Sequence, residues 1–216
     1  MDADSKKMSR RERERQLRRQ EILEAARAVF SARGYEGATL DEVAREAEFA
    51  KGTLYSYFDS KADLFAALVE REFEHVTERV KEVLAGESEP VRGVRAVIRV
   101  LLEFFESRSD FFRAAMALRD TGQREEVERI RATVKKKVDE LGDIIGARLA
   151  DGIRDGHFKE YDARFLGFLL LGIVHNYSVC AIKHGGDESL VSGADMLCDI
   201  YLDGVRILRP DVPEEE

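Results

Sequence analysis

Apolar positions recur at helical spacing along most of the chain and almost nowhere in the two-residue alternation of a strand. Between Arg10 and Arg33, the residues Ile22, Leu23, Ala26, Val29 and Phe30 share one stripe, and Gly34 stands where a left-handed C-cap would close that helix. Thr39-Leu40-Asp41-Glu42 has the form of a capping box, in which the Thr39 hydroxyl accepts from the Glu42 amide while Glu42 reaches back. It opens a short helix that turns Val43, Ala44 and Ala47 inward. A turn near Glu48 and Phe49 leads to a second short helix over about 51–57. Ser60 and Asp63 cap a long third helix with Leu64, Leu68, Phe73, Val76, Val80 and Val83 as its apolar row. Pro90 suits the first turn of the next helix. Further helices are expected near 90–107, 109–120, 123–154, 161–184 and 188–208, parted by Gly122, Asp155-Gly156 and Gly185-Gly186. The expected fold is all-α. A three-helix N-terminal domain over residues 1–60, ordered from about residue 10, precedes a larger helical domain over 61–208 and an acidic tail over 209–216.

Charge changes this picture more than composition does. The net charge is −8, yet residues 5–20 carry eight Lys and Arg against Glu12 and Glu14 alone, and the whole negative excess falls beyond residue 60. A basic head on an acidic body fits an anion-binding end on a soluble remainder. Three prolines and 44% hydrophobic residues exclude a disordered or collagen-like chain. Two cysteines, Cys180 and Cys198, offer no disulfide framework, and with no apolar leader the expected location is a reduced cytoplasm. Phe165 to Ile182 runs 18 residues without a charge, about the minimum for a bilayer span. His175, Asn176, Tyr177 and Ser178 interrupt it, so it reads as a core or interface helix with no membrane partner.

Catalysis finds no foothold. The four histidines are scattered; Glu72 and His75 have the Glu-x-x-His spacing of di-iron bundles, but no second copy exists. Gly-rich phosphate loops, nucleophile elbows and paired-cysteine motifs are absent from the sequence. No catalytic residue, metal ligand or cofactor is expected.

The second short helix carries the functional signal. Leu54 and Phe58 lie four apart and face inward, which leaves Lys51, Gly52, Thr53, Tyr55 and Tyr57 pointing out. Tyrosines, a lysine and a hydroxyl are suited to phosphates and base edges, and two short helices joined by a tight turn present such a set to a major groove. Thr39-Leu40-Asp41-Glu42-Val43-Ala44, then Lys51 to Phe58, then Ser60-Lys61 and Asp63-Leu64 together resemble the DNA-binding domain of the TetR family over about residues 16–70. The resemblance implies a homodimeric transcriptional regulator that binds a double-stranded operator through the first domain. The second domain would take a small-molecule effector and dimerise through its last two helices. By position, Thr39 would touch a phosphate, Lys51, Gly52 and Thr53 base edges, and Tyr55, Tyr57 and Lys61 further phosphates. The basic arm would reach flanking backbone or the minor groove. The family usually places glycine where Glu48 stands here.

In the larger domain, Phe104, Phe112, Met116, Phe168, Gly172, His175 and Asn176 are the candidates for an effector pocket, an apolar wall with a few polar groups. Gly167 and Gly172 would let helices approach closely. Val179, Ile182, Leu197, Ile200 and Tyr201 are candidates for a four-helix dimer interface. The leading expectation is a repressor released from a palindromic operator by a small hydrophobic effector. An activator, or a helical interaction module without sequence-specific DNA binding, is the alternative.

Overall fold

The computed structural model describes residues 9–117, 124–184 and 189–205, with the side chains of 114–126 left aside. Among the described residues every regular element is helical: α1 (Arg10–Gly37), α2 (Leu40–Glu46), α3 (Lys51–Tyr55), α4 (Lys61–Gly86), α5 (Pro90–Ser107), α6 (Ser109–Ala117), α7 (Arg124–Arg154), α8 (Ala163–His184) and, after a 3₁₀ turn at Leu190–Gly193, α9 (Ala194–Val205). Gly122, Gly185-Gly186 and the acidic tail lie outside the described residues.

Local chemistry sets the helix starts. Reciprocal capping boxes pair Ser9 with Glu12 and Thr39 with Glu42. The Ser60 hydroxyl accepts from the Asp63 amide at 3.0 Å, and the Asp63 carboxylate accepts from the Asp59 amide at 3.2 Å. Glu89 caps α5 by accepting from the amides of Val91 and Arg92, with Pro90 filling the position that needs no N–H donor. Gly34 has φ +70°, so the regular part of α1 breaks at the expected place and resumes for a last turn to Gly37.

The chain forms two compact units. Residues 1–71 and 110–133 make the first, and residues 72–109 and 134–216 the second. The boundary therefore falls inside α4, about three turns beyond residue 60, and α6 with the start of α7 joins the first unit. The first core packs Ile22, Leu23, Ala26 and Phe30 with Val43, Leu54, Phe58, Leu64, Phe65 and Leu68, all at most 2% exposed. Phe65 stacks on Phe111 at 5.3 Å and meets Phe30 edge-on at 4.9 Å.

In the second unit, α7 and α8 meet backbone to backbone. A Cβ on Gly167 would lie 2.5 Å from the Gly142 carbonyl oxygen and 3.0 Å from the Gly146 nitrogen. Gly172 has open space around it within the subunit. Buried Tyr201 donates to the Leu166 carbonyl at 3.0 Å, tying α9 to α8, and burial pushes its hydroxyl pKa well up. Burial also pushes the Cys198 thiol up, away from reactivity, while Cys180 is exposed. By length and composition α8 is apolar enough to cross a membrane, with a mean hydropathy of 1.8. Its outward stripe leaves Phe165 66% and Leu169 42% exposed, and on α9 Met196 is 50% and Ile200 61% exposed.

Candidate nucleic-acid interface

The turn between α2 and α3 decides where α3 points. Val43, Arg45 and Ala44 carbonyls accept from the amides of Ala47, Glu48 and Phe49 at 2.9, 3.1 and 2.9 Å, so three carbonyls of the last turn of α2 are bonded. Closing it that way puts Glu48 at φ +56°, a left-handed conformation that costs a non-glycine residue about 1–2 kcal/mol. Glu48→Gly is expected to raise stability by about 1 kcal/mol, read as an upward shift of about 2–4 °C in thermal midpoint. A midpoint that falls would show that no strain resides there.

Beyond the turn, α3 is shorter than its pattern suggested, ending at Tyr55. Residues 56–58 continue as a bonded turn, with Tyr57 and Phe58 amides donating to the Leu54 carbonyl at 2.9 and 3.1 Å. Leu54 and Phe58 are buried at 0% and 2%, and they hold the element down by its inner face. Lys51, Gly52 and Tyr55 are exposed on the outer face, with Thr53 and Tyr57 half-buried. A Cβ on Gly52 would meet nothing within 4 Å, so neither packing nor an unusual φ in this chain requires glycine there.

The polar groups are held loosely. The Lys51 ammonium donates to Asp41 at 2.8 Å, a bond that holds its pKa above the ordinary lysine value, and it lies 5.8 Å from the Tyr55 ring centroid. Both members of that pair are well exposed, so solvent screens the bond and it gives way easily to a phosphate. Thr39 spends its hydroxyl on the capping box, whose hydrogen bond from that hydroxyl holds the Glu42 carboxyl below the usual carboxylate range. Arg33 adds an ion pair to Glu42 at 3.1 Å.

Lys61 is engaged with the end of α1. Its ammonium donates to the carbonyls of Tyr35, Glu36 and Ala38 at 2.9, 3.3 and 3.2 Å and sits 4.6 Å from the Tyr35 ring centroid. An ammonium has three N–H donors, and all three are taken. In the free chain Lys61 caps the carbonyl end of α1. Conversely, Arg15 and Arg19 hold their guanidinium groups 5.7 Å above the Tyr57 ring and 5.4 Å above the Phe58 ring, contacts that no local motif announced.

The pocket candidates are spread over both units. Phe112 belongs to the first unit, its ring 5.8 Å from Phe111, and the Met116 side chain lies outside those described. Phe168 packs against Gly142 under the Arg164 guanidinium, Asn176 donates to the Gly172 carbonyl at 2.9 Å, and His175 lies 5.9 Å from Phe105. Phe104 alone of the set lines a described cavity, a cleft of about 210 Å³ between α4 and α5 with His75, Arg79, Glu103 and Arg108. Beneath it the Arg108 guanidinium bonds buried Glu72 at 2.7 Å. Of the interface candidates, Ile200 is exposed and Val179 half-exposed, while Ile182, Leu197 and Tyr201 are buried within the subunit.

Residues 22–68 match the sequence profile of the bacterial regulatory proteins of the tetR family. The chain is 26% identical over 159 residues to the transcriptional activator FasR of Mycolicibacterium smegmatis, covering 74% of this chain and 69% of that one. It is 45% identical to the transcriptional repressor KstR of Rhodococcus jostii over 64 residues, 30% of each chain. The fold is similar to that of FadR from Bacillus subtilis, solved in complex with stearoyl-CoA. The TM-score is 0.75 at 20% identity, covering 86% of this chain and 98% of that one.

Proposed function

The chain belongs to the TetR family of bacterial regulatory proteins, a DNA-binding transcriptional regulator and not an enzyme, and from that premise we propose that it is a homodimeric repressor released from its operator by a small apolar effector. The observation that carries the DNA-reading part is the outer face of α3. Lys51, Gly52 and Tyr55 stand exposed on an element pinned by buried Leu54 and Phe58, and glycine at 52 answers no need of the chain itself. Lys51, Gly52 and Thr53 read base edges, the bare Gly52 backbone allowing close approach, while Tyr55, Tyr57 and the Thr39 end of α2 hold phosphates.

The exposed apolar stripe of α8 and α9 is where a second copy packs. Burying the remaining surface of Phe165, Leu169, Met196 and Ile200 contributes about 1 kcal/mol per side chain, and two-fold symmetry doubles the sum. The effector enters the second unit. One cleft of that unit, at about 210 Å³, is below the roughly 300–1,000 Å³ of ordinary ligand pockets, so a larger ligand that entered there would part α4 from α5. The helix α4 carries residues of both units without a break, so a displacement of its second half reaches the first unit. Such a ligand acts only through its preference for the parted state. FadR's stearoyl-CoA makes fatty-acyl compounds the first effectors to try. Because FasR is named an activator, activation is the second reading, with the same operator contacts.

Selection of bound sequences from random duplex DNA tests the proposal. Wild type is expected to enrich an inverted repeat with half-sites about one helical turn apart, and the Lys51→Ala and Tyr55→Ala variants to lose the enrichment. Failure of wild type to enrich any sequence would refute it.

A further inference from the structure

The first eleven residues of α1 project as a helix with no cover. Every residue from Arg10 to Gln20 is exposed, and the helix starts on an intact capping box at Ser9. Six arginines lie in this stretch against Glu12 and Glu14. At 100° per residue, Arg11, Arg15 and Arg18 fall within about 60° of one another, with Arg19 beside them, on the side where Ile22, Ala26 and Val29 are buried further along. The inward face of α1 thus continues past the edge of the core as a row of guanidinium groups. Two of them, on Arg15 and Arg19, lie over Tyr57 and Phe58 at the end of the reading element. Arg11 and Arg18 have no ion-pair or ring partner among the described residues, whereas Arg10 is paired with Glu14 at 3.0 Å.

We propose that this helical extension is a second DNA-contact element, in which Arg11 and Arg18 bind backbone phosphates just outside the half-site read by α3. Its form decides the mode. A helix with side chains is about 10–12 Å across, and the minor groove of B-DNA is about 6 Å wide, so the ordered helix rides on the backbone instead of entering that groove. The eleven residues span about 16 Å, enough to reach several successive phosphates. Contacts of this kind add affinity and salt dependence but carry no sequence information.

The inference rests on α3 being the reading helix, and the test separates the two. Operator affinity is measured against salt for wild type, Arg11→Ala/Arg18→Ala and Arg13→Ala, whose side chain points to the opposite face. Duplexes either end flush with the repeat or extend about ten base pairs beyond it. The double variant is expected to lose about 1.8 from the slope of log affinity against log salt, equally on operator and random DNA, leaving their ratio intact. Wild type should gain affinity from the flanks and the double variant should not. Arg13→Ala should shift the slope by less than half as much. Both substitutions are at exposed positions, so the thermal midpoint should stay put. An unchanged slope with an intact operator preference would overturn this inference alone, and so would binding of the extension to anionic lipid vesicles with no effect on DNA. Loss of operator preference in wild type would instead sink the reading of α3.

Discussion

Phe165→Glu with Ile200→Glu is expected to give a folded monomer that binds the operator about a thousandfold more weakly than wild type. The two side chains are 66% and 61% exposed in the isolated subunit, so a carboxylate at each is solvated and costs the monomer little. In a dimer built on this face the symmetry brings four carboxylates into an apolar, desolvated seam. Each unpaired buried charge there costs several kcal/mol, so the four together exceed what the stripe contributes. A separated head then has one half-site to hold, and its affinity falls toward the 10⁻⁴–10⁻⁶ M range of non-specific binding, from about 10⁻⁸ M or tighter. Sedimentation gives the mass and titration the affinity. A dimer of unchanged affinity would move the interface elsewhere. Leu197→Glu is the contrast: Leu197 is 3% exposed, so its charge falls inside the subunit and the loss should be of folding.

Gly167→Val should destabilise the second unit markedly. The new Cβ would lie 2.5 Å from a carbonyl oxygen and 3.0 Å from an amide nitrogen of α7, and neither belongs to a side chain that can swing away. The α7–α8 spacing must widen, stripping contacts from Leu166, Leu170, Leu141 and Ile145, which are buried at 3% or less. Overpacking of this sort costs about 1–3 kcal/mol, and the branched methyl groups place it at the upper end. A fall of about 6–12 °C in thermal midpoint is the expected reading. Gly172→Val meets nothing within 4 Å and should shift the midpoint by a small fraction of that. Equal effects of the two would contradict the close-packed seam.

Most of the fold was legible because its signals are local. Thr39 and Glu42, Ser60 and Asp63, and Pro90 each mark a helix start within three residues of themselves, and all three starts stand where those residues put them. Gly34 marked the break in α1, and the Leu54–Phe58 spacing identified the buried side of α3. What could not be read depends on partners distant in sequence. The three carbonyls that occupy Lys61 come from 23 to 26 residues earlier, and only the folded chain brings them around one ammonium. The aromatic stretch at 104–112 offered no way to apportion its rings. Phe111 stacks on Phe65 in one unit, while Phe104 lines the cleft and Phe105 meets His175 in the other. Likewise Met196 and Leu197 are equally apolar neighbours. Which of them is covered depends on how α9 lies against α5 and α8, so the periodic stripe alone did not separate surface from core.

The measurement that bears most directly on the central claim is the ratio of affinities for the selected inverted repeat and for a scrambled duplex of equal length, at one fixed salt concentration, for wild type and Lys51→Ala/Tyr55→Ala. Wild type is predicted to prefer the repeat by at least about 10³, and the double variant to bring that ratio near one while keeping its weak, salt-dependent affinity for any duplex. A double variant that retains the full ratio would mean that α3 is not the element that reads DNA.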